Sequence, residues 1–167
     1  MDFELVMLRL FHIVFGVIWA GSAVFIAGIL EPRLRKLGPT VMQPVMGALM
    51  PILTPVMLLS ATITIAFGII LSLRLRWGNL DTFFDTGWGV AILIGFIVSI
   101  LAFGTGLTTS ITGKRLMRLG ASIQGRPPTP EEGALLGKLS ARLTLLSRST
   151  AVLTVIATGS MASARFI

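Results

Sequence analysis

The stretch "LRLFHIVFGVIWAG", residues 8–21, places an arginine and the only histidine of the chain inside an otherwise apolar run. The run extends from about Leu5 to Leu30, which is longer than the roughly 20 residues needed to cross a bilayer. The preceding segment, "MDFE", is acidic, whereas a cleavable signal peptide begins with basic residues. We therefore expect this run to be a retained membrane-spanning helix that carries Arg9 and His12.

The composition indicates an integral membrane protein. Of the 167 residues, 54% are hydrophobic and only 13% are charged, and the mean hydropathy is +0.90. A soluble domain carries about 25% charged residues. The absence of cysteine excludes disulfides, thiolate metal sites and iron–sulfur clusters. The net charge of +7 fits contact with anionic lipids better than binding to nucleic acid.

Three further apolar segments predict spans at about 52–73, 88–112 and 145–164, so that residues 1–167 form one all-α, four-helix membrane bundle. Glu31-Pro32 should end the first helix, because the residue before a proline is pushed away from the α conformation. The proline-containing segment 41–50 predicts a membrane-entry helix or a bent first part of the second span. Residues 131–144 should form an amphipathic, cytoplasmic lead-in to the last span.

The distribution of basic residues predicts the orientation of the bundle. The first and third connections are rich in lysine and arginine: Arg33, Arg35, Lys36, Lys114, Arg115, Arg118 and Arg126. Cytoplasmic loops carry an excess of these residues, so both termini should lie on the extracytoplasmic side. In the second connection, Phe83, Phe84 and Trp88 should lie at the membrane interface, where aromatic rings are favoured.

Small and polar residues recur on one face of the first, third and fourth predicted helices. On the first helix Arg9, Gly16 and Ala23 are seven residues apart, and so are His12 and Trp19 in the next row. Positions seven apart lie on nearly the same face, so we expect this face to contact protein. Small residues allow membrane helices to approach closely, and Ser or Thr can bond across them. The residues predicted to pack between helices are Arg9, Gly16, Ala23, Ser99, Gly106 and Thr154.

His12 has two interpretations. It can be a neutral packing residue, hydrogen-bonded to a Ser or Thr of a neighbouring helix, or it can ligate haem or a metal, with Trp19 packing beside a planar cofactor. A six-coordinate haem needs a second strong ligand. With one histidine per chain, that ligand is a methionine or the histidine of a second chain. A methionine series, Met42, Met46, Met50 and Met57, is either a path for Cu(I) or ordinary packing.

The segments "HIVFGVIWAG" and "EPRLRKLG" resemble the first helix of the copper-resistance protein D superfamily of small bacterial membrane proteins. The matching residues are His12, Trp19, Ala20, Gly21 and Pro32. The first helix is also similar to that of HemJ-type protoporphyrinogen oxidases, and "MASARF" resembles the last helix of relatives in this group. The resemblance implies a four-helix fold in the bacterial cytoplasmic membrane. It also implies copper handling or haem-linked redox chemistry with His12 as a ligand.

These observations leave three functional hypotheses open. The first is a non-catalytic membrane protein without a cofactor, acting as an accessory or assembly subunit of a larger complex. Its partners would be membrane lipids and other membrane subunits or a second copy of itself. The second is a haem b or copper protein that uses His12. The third is a small transporter or channel, which the lack of acidic residues in the later spans disfavours. The residues suggest no nucleophile and base pair, so no catalytic residue is predicted.

Overall fold

The computed structural model describes residues 2–76, 82 and 85–167. They form α1 (Phe3–Phe25), α2 (Glu31–Leu37), α3 (Pro39–Leu75), α4 (Gly87–Ser122) and α5 (Pro130–Ser163). A π-helical segment, Ile26–Leu30, joins α1 to α2, and a short 3-10 turn, Ala164–Phe166, follows α5. Phe83 and Phe84 lie outside the described residues. The half-buried Trp88 lies beneath Arg76, whose Cζ is 4.7 Å from the ring centroid.

Four helical segments are long and apolar enough to cross a membrane: Phe3–Leu37, Pro39–Leu75, Gly87–Ser122 and Pro130–Phe166. This confirms the prediction of an all-α, four-helix membrane bundle. Each helix is longer than the span predicted within it, because hydropathy marks only the part of a helix that suits lipid. The helices continue beyond their apolar stretches into more polar sequence, which water can solvate.

The first helix does not end at Glu31-Pro32, and this prediction was wrong. The chain instead widens into the π-helical segment, and the N–H of Glu31 bonds to the carbonyl of Ile26. A proline in an α-helix clashes with the carbonyl four residues earlier. The wider π turn just before Pro32 changes that spacing, so the helix continues through α2 to Leu37.

Residues 41–50 are the first part of α3 and not a separate membrane-entry helix. Pro44, Pro51 and Pro55 all lie inside this one helix. Proline is tolerated in membrane helices where neighbouring groups satisfy the freed backbone carbonyls. The 37 residues of α3 therefore form one element, with its start beside α2 and its end beside the start of α1.

The two basic segments meet at one end of the bundle, which we call the basic end. It carries Arg33, Lys36, Lys114 and Lys138, and a contact between Glu31 of α2 and Thr144 of α5 holds it together. At the opposite end, Arg74 of α3 pairs with Glu4 of α1 at 2.5 Å. Counting roughly 20 residues for one crossing from Glu4 brings α1 to the neighbourhood of Val24.

The start of α5 is fixed by a capping box outside the predicted span. The Thr129 hydroxyl accepts a bond from the backbone N–H of Glu132, and the Glu132 carboxylate accepts one from the N–H of Thr129. Arg126 also donates to this carboxylate at 2.6 Å. That hydrogen bond raises the pKa of the Arg126 guanidinium. Reciprocal caps of this kind satisfy backbone donors that the first helical turn leaves free.

The helices pack as two antiparallel pairs, α1 with α3 and α4 with α5, and contacts between the pairs are fewer. Trp19 joins the pairs. Its side chain, 6% exposed, packs with Ala61 of α3 and Ala102 of α4, both fully buried. Leu153 of α5 lies against the same cluster. All four helices therefore contribute to the cluster around one large ring, which packs beside two fully buried alanines.

The α4–α5 contact relies on small residues and hydroxyl groups. A Cβ added at Gly95 would lie 2.7 Å from Cγ of Met161, so only glycine fits there without a shift. The Thr150 hydroxyl is 2.9 Å from the hydroxyl of Thr105, and Ser160 donates to the carbonyl of Ala91 at 2.8 Å. Hydrogen bonds of this type typically contribute about 0.6 kcal/mol each between membrane helices.

We predict that Trp19→Ala lowers the free energy of unfolding by about 3–5 kcal/mol, because it leaves a cavity between four helices. Reversible unfolding in mixed detergent micelles measures this loss. Phe25→Ala is the matched control, since Phe25 is an aromatic residue of the same helix and is 50% exposed. Equal losses in the two variants would contradict a central role for Trp19.

Candidate functional site

His12 lies between α1 and α3, half-buried, with its ring against the α3 backbone. Its Nδ1 is 2.8 Å from the backbone carbonyl oxygen of Thr64. A carbonyl only accepts, so Nδ1 carries the proton and donates it. The packing interpretation predicted a bond to a Ser or Thr of a neighbouring helix. The partner is a threonine of α3, bonded through its backbone oxygen.

Gly68 provides the space for the imidazole. A Cβ added to Gly68 would lie 2.8 Å from both Cε1 and Nδ1 of His12, which is closer than real Cβ contacts allow. One turn earlier on α3, Thr64 faces Gly16 of α1, where an added Cβ would lie 3.4 Å from Cγ2 of Thr64. Two glycines, one on each helix, thus let α1 and α3 approach closely on either side of this hydrogen bond.

The bond to Thr64 also fixes the state of the second ring nitrogen. With Nδ1 protonated, Nε2 of a neutral imidazole carries a free lone pair, and no described residue bonds to it. Ligating histidines commonly donate the other ring N–H to a backbone carbonyl in this way. The geometry is therefore compatible with both interpretations of His12, as a packing residue or as a ligand through Nε2.

The hydroxyl of Thr64 is a second polar group at this contact. Its Oγ1 is buried and has no hydrogen-bond partner among the described residues. A buried hydroxyl without a partner is unusual and carries a desolvation cost. The α1–α3 contact consequently holds two polar atoms without a partner among the described residues, Oγ1 of Thr64 and Nε2 of His12.

The remaining predicted packing residues differ in their placement. Ala23, Ser99 and Thr154 are buried, although the hydroxyls of Ser99 and Thr154 bond to carbonyls of their own helices. Arg9 is exposed, so the structure departs from the expectation that it faces protein. A long arginine can lie along the surface toward the headgroups, which removes the need for an internal partner. Gly106 was predicted from its spacing to pack against another helix. An added Cβ at Gly106 would meet nothing within 4 Å, so it makes no close helix contact there.

The described residues contain no group of three His, Cys, Asp or Glu side chains that could hold a metal ion. A copper ion bound by His12 would therefore need methionines or groups from elsewhere. Met42, Met46 and Met50 are half-buried along α3, and Met57 packs against the Trp19 cluster. Trp19 itself lies in the centre of the bundle, packed by side chains from three other helices.

A polar cluster at the basic end was missed by the sequence reasoning. Glu31 is only 5% exposed, and its Oε1 accepts from Nη2 of Arg35 at 2.9 Å and from the Thr144 hydroxyl at 2.6 Å. Arg35 also donates to the Thr144 hydroxyl. Arg35 follows Glu31 by four residues, and that spacing in a helix is the signal that could have identified the ion pair. The third member, Thr144, is distant in sequence.

We predict that Gly68→Ala disrupts the His12 contact and costs about 1–3 kcal/mol, as overpacking of a fixed site does. The added methyl group and the ring cannot occupy the same space, so the bond to Thr64 must lengthen or break. Unfolding in mixed micelles measures the cost. Gly104→Ala is the control, because its Cβ would meet nothing within 4 Å; it should be neutral or stabilising by up to about 1 kcal/mol.

We predict that Arg35→Gln lowers stability by about 1–3 kcal/mol, because it leaves the Glu31 carboxylate buried without its charged partner. Arg33→Gln should change stability by less than about 0.5 kcal/mol, since Arg33 is exposed. Adding Glu31→Gln to Arg35→Gln should recover part of the loss by removing the buried charge. A double variant less stable than Arg35→Gln alone would argue against this explanation.

Comparison of the chain with protein-family models, with curated proteins and with solved structures found no match. Function is therefore inferred from the geometry of the described residues. Two arrangements carry that inference: His12 held between α1 and α3, and the Glu31 cluster that joins α2 to α5. Together with the four membrane-spanning helices, they identify the chain as an integral membrane protein with polar contacts between its helices.

Proposed function

We propose that the chain is a non-catalytic subunit of a larger membrane complex, in an accessory or assembly role, in the bacterial cytoplasmic membrane. The observation that supports this is the hydrogen bond from His12 to Thr64. An ionisable residue in a span is a functional candidate by default. Here the imidazole of His12 contributes to the α1–α3 contact. Gly68 has no Cβ, which leaves space for the ring.

Several other polar groups of the helices also act within the protein. Thr150 meets Thr105, Ser160 meets the backbone of α4, and Glu31 meets Arg35 and Thr144. These contacts stabilise the helix arrangement, and much of the outer surface is apolar. Large side chains such as Val17, Leu59 and Leu145 are 60–67% exposed on that surface. An apolar surface presented by a stable bundle suits contact with lipids and with other membrane subunits.

Photocrosslinking in the native membrane tests the proposed role. A photoreactive residue is placed at Val17, Leu59 or Leu145. The positive-inside rule predicts that the basic end lies in the cytoplasm. We expect at least one position to give a discrete adduct with one partner protein at a fixed ratio. Leu8, which is buried and lies outside the Trp19 cluster, is the control position and should give only internal products. Lipid adducts alone at all three surface positions would argue against a subunit role.

Ligation of haem b or copper by His12 is the second candidate. It is favoured by the protonation of Nδ1, which leaves Nε2 as the free donor atom. The single imidazole would suit the iron of a haem better than a copper ion, because the described residues offer no further cluster of ligands. A bound haem would supply one-electron redox chemistry. His12 would hold the iron, and the Thr64 carbonyl would orient the ring and increase the basicity of Nε2.

Substitution of His12 separates the two candidates. The amide nitrogen of Asn can occupy the place of Nδ1, so His12→Asn should keep the bond to Thr64. His12→Gln places its amide further out, near the position of Nε2. If His12 only packs, either variant should lose no more than the energy of one interhelical bond, about 0.6 kcal/mol. The purified protein should then show no Soret band and no stoichiometric copper.

If His12 is a ligand, the wild-type protein should carry a chromophore or copper, and both variants should lose it while remaining folded. A visible spectrum, metal analysis and unfolding in micelles are measured on the same samples. The spacing of Trp19 from His12 suggests Trp19→Leu as a spectral probe of a cofactor bound at His12. The structure makes this variant a poor probe, because Trp19 is in the central cluster. Loss of its packing would alter the whole bundle.

A further inference from the structure

Arg148 of α5 is exposed and forms no ion pair or hydrogen bond with any residue in the described part of the chain. It is one helical turn beyond Thr144, on the membrane side of the Glu31 cluster. It lies beside Ala27 and Gly28 of the π-helical segment, just past the point near Val24 where a crossing of roughly 20 residues from Glu4 ends. Arg148 is therefore at the level where hydrocarbon meets the lipid headgroups.

Two grooves open on the surface on either side of this arginine. The α4–α5 groove has a volume of about 540 Å³ and includes Leu101, Thr105 and Ser149. The α1–α5 groove has a volume of about 470 Å³ and includes Val24, Gly28 and Ile156. Arg148 and Val152 line both of them. Both are shallow surface grooves, open along their length, and not enclosed cavities.

Both grooves change from polar to apolar in the same direction. Since α5 begins at the basic end, Arg148 is the residue nearest that end, while Val152 and Ile156 lie deeper in the membrane. On α4, which runs the opposite way, Thr105 is nearer the basic end than Leu101. Each groove thus has a cation or hydroxyl groups at headgroup level and aliphatic walls toward the bilayer centre.

We propose that Arg148 and these two grooves bind one diacyl phospholipid. The guanidinium binds the phosphate, and one acyl chain lies in each groove, so that the lipid straddles α5 at Val152. A planar guanidinium forms bidentate bonds with phosphate, and its charge has no partner within the described residues. Basic pockets between membrane helices near the membrane surface are typical binding sites for phospholipid headgroups.

The shape and charge of the site favour a phospholipid over a helix of another protein. A helix would fill one continuous groove, whereas here a ridge formed by α5 separates two. The cation lies at the shared upper end of both grooves, where the single phosphate of a two-chain lipid would lie. The Ser149 hydroxyl beside it is a further donor for phosphate oxygens.

Native mass spectrometry of the full chain in detergent tests the proposal, with added dioleoyl phosphatidylglycerol as the probe. We expect one lipid to bind per chain, and Arg148→Gln to weaken binding about fivefold, the factor expected for one arginine near a membrane surface. Arg142→Gln is the matched control, because Arg142 is an exposed arginine of α5 outside both grooves. Arg148→Lys should retain most of the binding.

Two further measurements identify what is recognised. Phosphatidylcholine should bind, because it has the phosphate, whereas digalactosyl diacylglycerol, which has two chains and no phosphate, should bind at least several-fold more weakly. Val152→Trp should block both grooves, and Leu145→Trp, on the exposed surface of the same helix, should not. Equal binding of the galactolipid, equal effects of Arg148→Gln and Arg142→Gln, or dimers that exclude lipid would each overturn the proposal.

Discussion

The close meeting of four helices around one tryptophan is the constraint on which this structure depends. Hydrocarbon solvates a leucine as well as another helix does, so apolar surface alone does not drive membrane helices together. Close van der Waals packing between complementary surfaces must therefore stabilise the association of the helices. Trp19 supplies bulk from α1, and the fully buried Ala61 and Ala102 leave room for it. The His12 contact and the α4–α5 hydroxyl bonds can form only because this packing sets the distances between the helices.

Much of the architecture could be predicted from the sequence, because hydropathy and length report directly on burial in lipid. The four spans and the helical class follow from these two properties. The ends of the helices could not be predicted in the same way. The proline rule assumes α geometry, and the π-helical segment at Ile26–Leu30 offers another path through Glu31-Pro32. The continuous α3 likewise shows that three prolines do not divide a helix whose neighbours support it.

The candidate site was predictable only on one helix. The seven-residue rows identified the face of α1 that carries His12 and Trp19, since both follow from helical periodicity. The sequence could not identify which residue bonds to His12, because the acceptor is a backbone oxygen, which every residue has. Gly68 lies in an apolar run without distinguishing neighbours, so its role depends on how α1 and α3 are placed. The Glu31–Arg35 spacing was visible, whereas Thr144 comes from more than a hundred residues away.

The division of the bundle into two helix pairs has a consequence for biogenesis. Consecutive spans α1 and α3 form one helical hairpin, and α4 and α5 form the other, so each can enter the bilayer as a unit with its partner alongside. The contacts between hairpins are fewer. They include the cluster around Trp19 and, at the basic end, the bond between Glu31 and Thr144. This division suits a pathway in which the two hairpins insert first and then dock. The docking would bury Trp19 between the hairpins and would also form the bond between Glu31 and Thr144.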